Sequence, residues 1–124
     1  MITVKLNNLE IVEGRIDFAG AGFKPARTGF EVSGHAMTAK HGEDIVCAAV
    51  SVIAQTTAIS LIELVELKAK VEQHNGFLSL NCPHIEEAQL EKFLTVMNVF
   101  WIGIREIEKL YPDKIKIIED EKAE

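Results

Sequence analysis

Residues 44–64 read DIVCAAVSVIAQTTAISLIEL, and residues 67–82 follow as LKAKVEQHNGFLSLNC. In the first stretch Val46, Val50, Ile53, Thr57, Leu61 and Leu64 recur at helical spacing, so one face of a long helix is expected to be buried. In the second, two strand-like runs, Lys68–Gln73 and Phe77–Cys82, flank Asn75-Gly76. That dipeptide suits a type I′ hairpin turn, because both residues tolerate positive φ. A helix leading into a hairpin departs from the strict strand-helix alternation of a doubly wound fold.

The flanks complete the pattern. Ile2–Leu6 alternates as a half-buried strand, and a second strand is expected over Leu9–Phe18. Ala19–Thr28 (AGAGFKPART) reads as a loop or hairpin tip, and Phe30–Val32 resume a strand. A second helix should begin near Glu86, bury Leu90, Phe93, Leu94, Met97, Trp101, Ile104 and Ile107, and end before Pro112. Lys114–Ile118 (KIKII) alternates as a last strand. The expected fold is α+β, with two helices packed on a small mixed β-sheet in a single domain over 1–124, the last six residues forming a charged, frayed tail.

The composition bounds the partners. With 48% hydrophobic and 26% charged residues, the chain is of ordinary globular type. No run of about 18 uninterrupted apolar residues marks a membrane span, and the first residues lack a signal-peptide layout, so the cytoplasm is expected. A net charge of -6, with Lys and Arg scattered, argues against a nucleic-acid binder. Two cysteines are too few for a disulfide framework. No glycine-rich phosphate loop appears, and Cys82 with His84 lacks the second close pair that a zinc site needs, so no cofactor or metal is expected. Cys82 shares a strand face with Leu78 and Leu80 and reads as a core thiol, whereas His41 and His74 read as solvated loop residues.

Chemistry is concentrated between residues 33 and 56, SGHAMTAKHGEDIVCAAVSVIAQT. If Asp44 is the N-cap of the first helix, Cys47 is its third residue, where the free N–H groups and positive dipole end favour a thiolate. His35 follows a strand, and a polar loop with Gly42 as pivot separates it from Cys47. The imidazole and thiol could meet as a nucleophile-base pair under that loop. The plainer alternative is a core thiol beside Ala48 and Ala49. Ser51 lies one helical turn past Cys47, within reach of the same site or bonded to a backbone carbonyl.

Gly34-His35-Ala36, Gly42 and Asp44–Ser51 (DIVCAAVS) together resemble the ribosomal-processing cysteine protease family, Prp. The likeness runs on to the hairpin at Asn75-Gly76 and to KLYPDKIKI at 109–117. Ile59 stands where many members carry Asn, and Gly14–Arg27 is longer than the usual hairpin. The resemblance implies an α+β homodimer and an endopeptidase that removes a short N-terminal extension from large-subunit ribosomal protein twenty-seven. It implies Cys47 as nucleophile, His35 as general base, and Gly34, Asp44 and Ser51 as residues supporting the site. The competing class is a non-enzymatic module that docks on the ribosome or an assembly factor.

Overall fold

The computed structural model describes residues 1–20, 27–34 and 43–119, of which 43 and 44 are described in their backbone alone. Strand β1 (Ile2–Asn7) alternates buried Ile2, Val4 and Leu6 with half-buried Thr3, Lys5 and Asn7, as its sequence alternation requires. The expected strand over Leu9–Phe18 is instead two, β2 (Leu9–Val12) and β3 (Arg15–Phe18), paired as a hairpin. Glu13 and Gly14 between them both take positive φ, +51° and +78°. A type I′ turn needs that combination, and the Glu-Gly dipeptide conceals it because glutamate is an uncommon left-handed residue.

Next come β4 (Thr28–Gly34), helix α1 (Glu43–Glu63), β5 (Lys70–His74), β6 (Phe77–Cys82), a 3₁₀ turn at Glu87–Gln89, helix α2 (Leu90–Leu110) and β7 (Ile115–Glu119). The main sheet runs β5-β6-β4-β1-β7, mixed because β1 and β7 are parallel while the other neighbours are antiparallel. The expectation of two helices on a mixed sheet in one α+β domain is met. Glu119, expected in the frayed tail, instead ends β7 and accepts a hydrogen bond from the Ile11 N–H at 2.8 Å. The rest of that tail lies outside the described residues, as do residues 21–26 of the expected loop.

Both helices cover one face of the sheet. Phe30 of β4 stacks on Phe100 of α2 with ring centroids 4.6 Å apart, at the centre of the core. The β2-β3 hairpin packs on the outer flank of α2: Trp101 Nε1–H donates to Gly14 O at 2.9 Å, and Asn98 exchanges two hydrogen bonds with Ile16. A reciprocal capping box between Glu86 and Gln89 opens the 3₁₀ turn, so the α-helix proper starts four residues later than expected. Phe93, Met97, Trp101 and Ile104 are buried as expected, Phe100 joins them, and Leu90, Leu94 and Ile107 are only partly covered.

Helix α1 departs from a simple amphipathic pattern. Val46, Val50, Thr57 and Leu61 face the core, but Leu64 lies past the helix end and is 71% exposed, while Ala54 and Ala58 are buried. Ile45, Val52 and Ile59, spaced by seven, form an exposed stripe opposite the core. Apolar residues on both faces make Ile45–Glu63 long and apolar enough to meet the composition of a membrane span, although no uninterrupted apolar run is present. Its buried stripe is nevertheless that of a helix packed on a sheet, with Ile53 set against Gly103 of α2.

Candidate active site

The N-terminal half of α1, the end of β4 and the β5-β6 turn surround a cleft of about 480 Å³. The buried side chains of Val46 and Val50 seat the helix on the sheet, which turns the flank carrying Cys47, Ser51, Ala54 and Gln55 toward this cleft. Ile2, Val32 and Leu78 supply an apolar floor, and Gln73, His74, Asn75 and Gly76 form the opposite wall. The volume falls in the range of small-ligand sites, enough for a few residues of extended peptide.

Gly34 and Gly76 hold the two walls in register. The Gly34 N–H donates to Gly76 O at 3.0 Å. A Cβ on Gly34 would meet Ile2 Cγ1 at 2.9 Å and the Met1 carbonyl oxygen at 3.1 Å, so the close approach of β1 at this point requires a glycine. At the turn only Gly76 has positive φ, +78°, so the Asn75-Gly76 turn is not type I′ as its sequence suggests. The Gly76 carbonyl of this turn accepts from Gly34, a partner far away in sequence.

Helix α1 begins at Glu43, so Asp44 is its second residue and not its cap, and Cys47 is its fifth and not its third. The side chain of Asp44 lies outside the described residues, and so do His35 and His41. Cys47, Ser51 and Gly34 do line one cleft. Gly34, which immediately precedes His35 in the sequence, thus lines one wall of the cleft, and Glu43 lies one helical turn before Cys47 on the helix that forms another.

His74, expected to be a solvated loop residue, closes strand β5 at the cleft wall. Its Nε2 lies 2.7 Å from Glu72 Oε2, and its ring stacks on Phe77 with centroids 5.8 Å apart. Nothing local in the sequence points Gln55, Gln73 or His74 to a shared cleft, because only tertiary pairing of β4 with β6 brings the hairpin to the helix. Cys82 is buried in the core at the end of β6, whereas His84 is exposed, with its Nε2 3.0 Å from Glu86 Oε1.

Residues 16–116 match the family model of the cysteine protease Prp. The chain belongs to that family. Among solved structures it resembles the essential ribosomal processing protease Prp from S. aureus in complex with a substrate peptide, at 18% identity over 97% of this chain and 100% of that one, with a TM-score of 0.70. The same S. aureus Prp with a covalently linked product peptide matches at 19% identity, equal coverage and a TM-score of 0.67. SMU.848 from Streptococcus mutans matches at 22% identity over 97% and 96% of the two chains, with a TM-score of 0.64. These structural likenesses carry the Prp fold, and no curated protein matches the sequence.

Neither thiol of this Prp-family chain forms a disulfide, and the two differ in accessibility. Cys47 is half-buried at the cleft, whereas Cys82 is 0% exposed and burial pushes its thiol up to about 12. Brief treatment with iodoacetamide near pH 8 should therefore modify Cys47 and spare Cys82, read by mass of the tryptic peptides. Equal labelling of both in the native protein would contradict this placement.

Proposed function

We propose that this chain is a cysteine endopeptidase that removes the N-terminal extension of large-subunit ribosomal protein twenty-seven during ribosome biogenesis in the cytoplasm. Membership of the Prp family supports the reaction class, and the S. aureus relative described as a ribosomal processing protease supports the substrate. One observation carries the assignment of residues: Gly34, which immediately precedes His35 in the sequence, lines the same cleft as Cys47.

In the proposed mechanism His35 takes the Cys47 proton, and the sulfur attacks the scissile carbonyl carbon. The tetrahedral intermediate collapses with cleavage of the C–N bond, and the imidazolium returns the proton to the leaving amine. Water, deprotonated by His35, then attacks the thioester; the C–S bond breaks, the extension peptide leaves as its carboxylic acid and the thiol is restored. Gly34, Asp44 and Ser51 support this site: Gly34 by admitting close backbone approach, Asp44 from the first turn of α1, and Ser51 by presenting a hydroxyl one turn beyond the thiol.

Incubation with the extended ribosomal protein, followed by intact-mass measurement, tests the proposal. Two products whose masses sum to that of the substrate plus one water are expected. Retention of the intact mass together with stable binding would instead favour the non-enzymatic ribosome-docking alternative.

The active unit is proposed to be a homodimer. Ile45, Val52 and Ile59 on α1 and Val99 and Ile102 on α2, which packs against it, are all exposed apolar side chains, and the natural cover for them is a second copy. Val52 is 64% exposed in the single chain. Val52→Asp should weaken self-association about 100-fold, because it places a lone charge in an apolar contact. Sedimentation equilibrium measures this, and identical association by variant and wild type would remove the face from the interface.

A further inference from the structure

Strand β5 is an edge of the main sheet, and all five of its residues are exposed. The opposite edge, β7, is flanked by β2 through the Ile11–Glu119 hydrogen bond, whereas no strand among the described residues pairs with the outer side of β5. Unblocked edges are usually shortened, bulged or broken by proline, because they recruit other chains. Lys70–His74 contains no proline and pairs with β6 without a break in register.

The register shows which groups this edge offers. His74 opposes Phe77 across a two-residue connection, which makes them a hydrogen-bonded pair, as are Glu72 with Ser79 and Lys70 with Asn81. Val71 and Gln73 therefore direct their N–H and C=O groups away from β6, toward the open edge. The same two residues oppose Leu80 and Leu78, whose side chains are buried under the helices, so Val71 and Gln73 also face the helix layer. Gln73 reaches the cleft, across which lies the α1 flank with Cys47, Ser51 and Gln55.

We propose that the outer edge of β5 is the docking strand for the substrate, which adds to the sheet in extended form by main-chain hydrogen bonds to Val71 and Gln73. The proposal rests on the protease reading above and specifies how that enzyme holds its peptide. A strand added beside β5 lies about 4.8 Å beyond it and sends alternate side chains toward the α1 flank, where Ser51 and Gln55 offer polar contacts. Main-chain pairing holds a peptide in the extended form that presents its carbonyls to a nucleophile, while the cleft selects only those side chains directed inward.

The test uses a synthetic peptide spanning the junction between the extension and the mature ribosomal protein, together with a series carrying a single N-methyl group at each successive amide. Edge pairing predicts losses in kcat/KM that alternate with a period of two, each about tenfold, because only every second amide donates to β5. Val71→Pro and Gln73→Pro each remove one outward N–H without touching the ladder to β6, and each should raise KM by a similar factor, about tenfold. The peptide series leaves the protein unaltered, so its outcome stands even if a proline variant folds poorly. Losses without alternation, or none, overturn the edge pairing while leaving the protease reading intact. A wild-type protein that does not cut the parent peptide overturns both together.

Discussion

Cys47→Ala should lower kcat/KM for the extended ribosomal substrate by about 10⁴-fold or more, since without a nucleophile no acyl-enzyme can form and only binding and polarisation of the carbonyl remain. The fold should be little affected. Cys47 is half-buried and lines a cleft, so its truncation to Ala leaves a gap already continuous with that cleft. A loss of about 1 kcal/mol at most is expected in the melting transition. Cys47→Ser refines the result: its hydroxyl keeps nearly the same volume but is far less nucleophilic without strong activation, so it too should be nearly inactive. Continuous cleavage assays with product mass as identity check supply both rates. Activity in the alanine variant above a tenth of wild type would exclude Cys47 as the nucleophile.

The thiol was legible because local features surround it. Apolar spacing over residues 46–61 made the helix, and the structure buries Val46, Val50 and Leu61 accordingly. The first residue of that helix was not legible: with Glu43, Asp44 and Glu63 all polar, the apolar repeat leaves its ends unmarked, and α1 starts two residues earlier than an Asp44 cap allows. Leu64 failed for the same reason, since it fits the repeat but follows the last helical residue.

The opposite wall of the cleft was hidden by a different cause. The hairpin of β5 and β6 could be read from two alternating runs around Asn75-Gly76, but the neighbour of β6 could not, and β4-β6 pairing is what carries His74 and Gln73 to α1. Strand order is a tertiary property, set by how β1 comes to lie between β4 and β7. The parallel β1-β7 pair joins the first strand to the last, a contact to which no local pattern points. The cleft thus combines one wall written in a contiguous motif with one wall assembled by sheet order.

That sheet order explains why a single methyl group should have the second largest effect. Gly29 lies in β4, opposite Asn7 of β1 on one side and Asn81 of β6 on the other. A Cβ there would overlap the Leu80 carbonyl oxygen and also fall 2.8 Å from the Leu80 carbonyl carbon and 3.2 Å from Asn81 Cα. These are backbone atoms of the neighbouring strand, so no side-chain rotation relieves the clash; β4 and β6 must move apart. Gly29→Ala should therefore cost about 4 kcal/mol or more, a large share of the 5–15 kcal/mol typical of a whole domain. Gly20→Ala provides the contrast: its φ is +83° but a Cβ meets nothing within 4 Å, so only backbone strain of about 1 kcal/mol is added. Urea denaturation followed by circular dichroism ranks the two. Gly29→Ala should shift the midpoint far more, or yield protein without a cooperative transition, and because β4 ends at Gly34 it should also disorder the cleft wall and abolish cleavage. If instead Gly29→Ala unfolds at the same midpoint as Gly20→Ala, the close packing of β4 on β6 is wrong, and with it the register that brings the hairpin to Cys47.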